Sequence, residues 1–112
     1  METPKLKMLA HAMQAYTMRM RAISSNIANL DTPGYRRESV NFEDTLQDTR
    51  HQIPGLRNET DVEARMAMED APPVLEDELM DLADTQMRTQ FASRALHEHF
   101  GMLRSSITGR TG

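Results

Sequence analysis

Apolar side chains recur at Leu6, Leu9, Met13, Tyr16, Met20, Ile23, Ile27 and Leu30, at intervals that alternate three and four. That heptad rhythm predicts a helix from about Pro4 to Leu30 that buries one narrow seam. Pro4 suits its first turn, where a missing N–H costs nothing. A second series, Leu75, Leu79, Leu82, Gln86, Thr89, Ser93, Leu96, Phe100, Leu103 and Ile107, alternates in the same way but is polar in the middle. It predicts a longer helix from near Pro73 or Val74 to about Ile107. Ala83, Met87, Phe91 and Ala95 add an apolar stripe rotated to one side, so the buried face widens there. Glu76, Asp77, Glu78, Asp81 and Asp84 crowd its first turns and complement the positive end of the helix dipole.

The first helix is ended abruptly by the run Ser25-Asn26-Ile27-Ala28-Asn29-Leu30-Asp31-Thr32-Pro33-Gly34-Tyr35. Pro33 removes a backbone donor and biases Thr32 away from helical dihedrals. Gly34 accepts positive φ without cost, so Thr32-Pro33-Gly34-Tyr35 reads as a type II turn. Asn26, Asn29 and Asp31 can each bond nearby backbone and fix the helix end. Pro33, Gly34 and Tyr35 would then aim the next segment at a neighbour, with Tyr35 as an interface anchor.

After the turn, residues 36–42 alternate in part, with Val40 and Phe42 on one side. An extended segment folding back on the first helix is expected rather than a stable strand, since no partner strand is visible. Residues 43–72 hold few large apolar groups and are interrupted by Pro54-Gly55 and Pro72, which predicts a mobile linker with a helical piece around Val62–Met68. The chain divides into an N-terminal helix and turn (1–35), an extended segment and flexible acidic linker (36–73), and a C-terminal helix with a short tail (74–112). The expected fold is all-α: two long amphipathic helices packed as an antiparallel coiled-coil hairpin with an irregular, mobile middle.

Composition makes that hairpin a poor monomer. Only 20 of 112 residues are Leu, Ile, Val or Phe, which leaves little to set against a chain entropy of about 1–2 kcal/mol per residue. Ten methionines partly compensate, because the flexible thioether fills irregular gaps between helices. A helix pair also leaves one flank of each seam in water, so further helices are needed to cover it. Order gained on association is the natural expectation.

Charge is divided along the chain. The formal net charge is −4, but residues 1–37 and 86–112 are basic and the intervening stretch is strongly acidic. Basic ends around an acidic middle, with few aromatics, do not make a nucleic-acid footprint. They suit solvated helix faces, and beyond that a charge pattern that sets register between subunits. No apolar run is long enough to span a membrane, and the N-terminus has no ordinary secretory signal.

Catalysis and cofactors find no support. His97 and His99 flank Glu98, yet side chains two apart on a helix diverge and cannot share a metal. Cysteine is absent, the serine pairs lack an adjacent base, and the glycines form no phosphate-binding pattern. The chain is expected to be non-enzymatic, without cofactor or metal.

The run Ser25–Tyr35 resembles the N-terminal motif of the bacterial flagellar rod and hook family. Leu82-Ala83-Asp84-Thr85-Gln86-Met87-Arg88 and Phe100-Gly101-Met102-Leu103-Arg104-Ser105-Ser106-Ile107 are similar to a C-terminal segment of its proximal rod members, as is the short length. The resemblance covers residues 1–42 and roughly 74–108. It implies a structural subunit that self-assembles through its terminal helices into a helical tube transmitting torque. It further implies a place in the periplasmic rod of the basal body, reached by type III export without a cleaved signal peptide. The implied partners are other copies of the chain, other rod proteins, the basal-body adaptor FliE, and membrane-ring and export-gate components. A non-polymerising helical export chaperone or adaptor is the rival from another class.

Overall fold

The computed structural model describes residues 4–42 and 64–109. Helix α1 spans Pro4–Ala28, and strand β1 spans Glu38–Asn41. Strand β2 spans Arg65–Met68, and helix α2 spans Leu75–Thr108. The two helices run antiparallel, for Asn26 near the end of α1 touches Glu78 near the start of α2. With 25 and 34 residues, they are roughly 37 and 51 Å long. The mostly helical hairpin is therefore as the heptads predict, and a small sheet is added to it.

That sheet corrects the reading of the middle. Glu38, Ser39, Val40 and Asn41 pair antiparallel with Met68, Ala67, Met66 and Arg65, so the segment after the turn is a strand with a partner. Arg65–Met68 is that partner and not part of a helix. The pairing joins residues far apart in the chain, which local periodicity cannot reveal. Most of the expected linker, residues 43–63, lies outside the described residues.

The sheet packs on α1. Phe42, just past β1, sits against Ala12 and Ala15, with Tyr16 and Ala64 at the edge of the cluster. Alanine leaves room for the ring and for close approach of the strand. The deepest positions on α1 are Ala12, Ala15, Ala22, Ile23 and Asn26, whereas Leu6, Leu9, Met13, Tyr16, Met20, Ile27 and Leu30 are only half-buried. Apart from Ile23, the buried stripe lies one residue ahead of the heptad of large side chains, about 100° around the helix. On α2 the deepest are Glu78, Thr85 and Ala92. Leu82, Leu96 and Leu103 are half-buried, while Leu75, Leu79, Phe100 and Ile107 stay exposed.

Both helix ends have local causes. At the end of α2, Gly109 adopts φ 71° and its N–H donates to the Ser105 carbonyl, the left-handed stop that glycine accommodates best. The first turn of α2 carries Glu76, Asp77 and Glu78, favourable to its dipole.

Candidate assembly site at the helix end

Asn26 lies in the last turn of α1 and is completely buried. Its amide is used on both sides. Nδ2 donates to the Glu38 carbonyl at 2.9 Å and to Glu78 Oε2 at 3.1 Å. Oδ1 accepts the Glu38 N–H at 2.9 Å. Asn26 thus meets β1 as a neighbouring strand would, through both backbone groups of one residue. It joins α1, β1 and α2 at a single point, where the sequence suggested only a helix stop.

The second joint is Arg37. Its backbone extends the ribbon by one step: its N–H donates to the Ala71 carbonyl at 2.9 Å, and its own carbonyl accepts the Glu69 N–H at 2.8 Å. That pairing fixes the guanidinium over the start of α2. Nε donates to Glu78 Oε1 at 2.6 Å, Nη1 to Glu69 at 2.9 Å and Nη2 to Asp81 at 2.5 Å. Glu78 is wholly buried with both oxygens engaged. Burial opposes the charge of Arg37, but its hydrogen bonds and Coulomb attraction to Glu78 and Glu69 outweigh that and hold its pKa above the ordinary guanidinium value. In the sequence Glu78 is one more acid in a first turn; nothing in the local pattern marks it as the buried one. A buried ion pair of this kind contributes little net stability but fixes register, because any slip strands a charge.

The turn itself follows the expected chemistry. The Tyr35 N–H donates to the Thr32 carbonyl at 3.2 Å, and Gly34 has φ 76°, as a type II turn requires at its third position. At the helix end Asn29 Nδ2 donates to the Ser25 carbonyl at 2.8 Å, and its Oδ1 accepts from Thr32 Oγ1 at 3.0 Å. Asp31, Pro33 and Gly34 are exposed. Tyr35 is half-buried, with its hydroxyl buried and without a hydrogen-bond partner. The structure therefore divides the motif, with Asn26 facing inward, Asn29 capping, and Asp31, Pro33 and Gly34 on the surface.

The open side of the hairpin carries the rest of the heptads. Tyr16, Thr17 and Met20 of α1 face Gln86, Thr89 and Gln90 of α2 across a groove of about 380 Å³. A further hollow of about 350 Å³ beside the Arg37 network is lined by Arg19, Arg37, Arg88, Asp81, Asp84 and Thr85, among others. Arginines and carboxylates both line it, and it offers no single-sign cradle for an anion.

Residues 6–36, nearly the whole of α1 and the turn, match the model of a family described as flagella basal body rod protein. The chain resembles a flagellar rod protein. It is 38% identical over 63 residues to the flagellar basal body rod protein FlgB of Aeromonas hydrophila, an alignment covering 55% of this chain. The chain spans about half the length of that relative (47%). No solved structure matches. The matched segment contains Asn26, Asn29 and the whole turn, while Arg37 and Glu78 lie beyond it. Among the described residues, no helix is long and apolar enough to cross a membrane.

Proposed function

We propose that this chain is a structural subunit of the flagellar basal-body rod, similar to FlgB, and that it self-assembles through α1 and α2 into a helical tube. The observation that carries the reading is the helix pair's failure to cover its own heptads. Leu79 is 49% exposed, Phe100 52% and Ile107 84%. Side chains of this size, repeated along one helix, are covered by other helices in a stable state. The resemblance of residues 6–36 to rod proteins supplies the kind of assembly. The Asn26–Glu78–Arg37 joint gives it a rigid unit, because register between α1 and α2 must be held if torque is to pass from copy to copy.

The same reading places the chain in the periplasmic rod after type III export without a cleaved signal peptide. Its neighbours there would be other copies, other rod proteins, FliE, and components of the membrane ring and export gate. The proximal rod protein FlgC is the alternative identity within the family. Isolated protein is expected to show low or concentration-dependent helicity, because assembly completes the burial. Circular dichroism with analytical ultracentrifugation tests this. A compact, fully helical monomer or dimer at every concentration would instead favour a non-polymerising chaperone or adaptor.

A further inference from the structure

Helix α2 carries two apolar surfaces that do not coincide. Gln86 lines the groove with Tyr16 and Met20 of α1, and helical spacing puts Leu75, Leu79 and Phe100 on the same face of α2 as Gln86. Met80, Met87, Phe91 and Met102 recur seven, four and eleven residues apart, which puts them on one line of the helix. Two of the groove-side positions are followed directly by ridge positions, Leu79 by Met80 and Gln86 by Met87, so the two surfaces lie about 100° apart. The ridge is strongly exposed: Met80 71%, Met87 58%, Phe91 63% and Met102 73%. One surface is a concave trough between helices, and the other is a convex line on the back of α2.

Charge says which goes with which. Helix α1 contains Lys5, Lys7, Arg19 and Arg21 and no acid, while the first turns of α2 are acidic throughout. Within the chain Glu78 and Asp81 are taken by Arg37, and Asp84 by Arg88. Glu76 and Asp77 remain exposed on either flank of Met80, and further along the ridge Glu98 and one base, Arg94, are exposed, which leaves the ridge acidic on balance. Lys5 and Arg21 remain exposed on α1, with Arg21 at the outer rim of the groove beside Thr17. A neighbour's ridge laid in the groove therefore brings its spare acids toward spare bases on α1.

We infer that the trough between α1 and α2, centred on Tyr16, Met20 and Gln86, receives the Met80–Met87–Phe91–Met102 ridge of α2 from a second copy of this chain. The contact is heterologous: each copy offers a trough to one neighbour and a ridge to the other, and such contacts propagate as an open helical array when they do not close into a ring. Methionine suits the ridge because its flexible side chain adapts to a trough lined by Gln and Thr as well as Tyr and Met. This inference rests on the assembly reading above and names the faces that reading leaves open.

The chain has no cysteine, so single thiols can be placed without background. Thr17→Cys marks the trough and Met87→Cys the ridge, both at exposed positions. Circular dichroism confirms that each full-length variant folds as the parent does. One variant carries a mass tag, the two are mixed at a concentration where sedimentation shows association, and a short bis-maleimide is added. The expected product is the mixed Thr17→Cys/Met87→Cys pair, several-fold above either like-with-like pair. Cross-links mainly between two Thr17→Cys chains would assign an isologous trough-to-trough dimer and overturn the inference. Mainly paired Met87→Cys chains, or association without any cross-link, would overturn it as well, while leaving the assembly reading intact. A monomer at every concentration would overturn both.

Discussion

Replacing Asn26 with Ala removes a buried side chain of α1 that bonds both β1 and α2. Three hydrogen bonds disappear: two to the backbone of Glu38 and one to the Glu78 carboxylate. Water has no access to a residue at 0% exposure, so the Glu38 N–H and carbonyl and one Glu78 oxygen are left unpaired. Each neutral group stranded in this way costs about 1–3 kcal/mol, and a charged one more. Partial relaxation and a new water in the gap recover some of that, so an overall loss of about 3–5 kcal/mol is expected. The isolated chain, whose burial is completed by assembly, starts from less than the about 5–15 kcal/mol of an ordinary domain, so this removes most of the fold's margin. The assay is urea unfolding followed by circular dichroism, with trimethylamine oxide present to bring both transitions into range. Asn26→Asp is the informative companion. It keeps an acceptor for the Glu38 N–H but sets a second carboxylate against Glu78, and is expected to be at least as damaging as Ala. A loss below about 1 kcal/mol for Asn26→Ala, within the range of ordinary surface changes, would refute the joint.

Arg37→Lys keeps the charge but loses the fork that reaches Glu69, Glu78 and Asp81 together, and should cost about 1–3 kcal/mol in the same titration. Arg37→Met leaves Glu78 buried without its cation and should cost about 3–5 kcal/mol. Because the folded pKa of Arg37 is raised, its contribution is complete below the ordinary guanidinium value and is lost only as pH climbs through the higher folded one. The gap between parent and Arg37→Met should thus stay level from about pH 6 to 10, and a gap that closes across that window would contradict the pairing. Tyr35→Phe should be neutral within about 0.5 kcal/mol, since the hydroxyl has no partner to lose. Gly34→Ala has open space for its new Cβ, so only the positive φ is penalised, at about 1 kcal/mol. Combined with Pro33→Ala it should permit export yet block rod assembly and motility, and normal swimming of that double variant would remove the turn from the mechanism. Gly101 also has nothing within 4 Å of a new Cβ, so Gly101→Ala should raise helicity in solution by up to about 1 kcal/mol of helix propensity. If motility is lost in that variant, a neighbouring subunit approaches closely there.

The parts of this fold visible in the sequence are those fixed by nearest neighbours. Pro4 at the start of α1, the turn at Thr32–Tyr35 and the acidic opening of α2 each have a local cause, and each stands where that cause puts it. What the chain does not disclose locally is pairing over distance. Arg65–Met68 has no alternation strong enough to declare a strand, and it becomes one only because Glu38–Asn41 is brought beside it. The buried stripe on α1 was obscured for a related reason. Large heptad side chains attract attention, but Ala12, Ala15 and Ala22 are small enough to admit a strand and the second helix. Glu78 looks like its neighbours Glu76 and Asp77 until Arg37 and Asn26 converge on it. The heptads themselves describe the remaining surface, shared between the contact of α1 with α2 and the groove at Tyr16, Met20 and Gln86.

A subunit-resolved map of the assembled basal body tests the central claim most directly. The account predicts this chain in the rod as an antiparallel helix pair, with Asn26 and Arg37 meeting Glu78 inside each subunit and a neighbouring helix lying along the heptad face. A rod in which the chain is absent, or in which its α1 and α2 part from each other and pack only with other subunits, would contradict it.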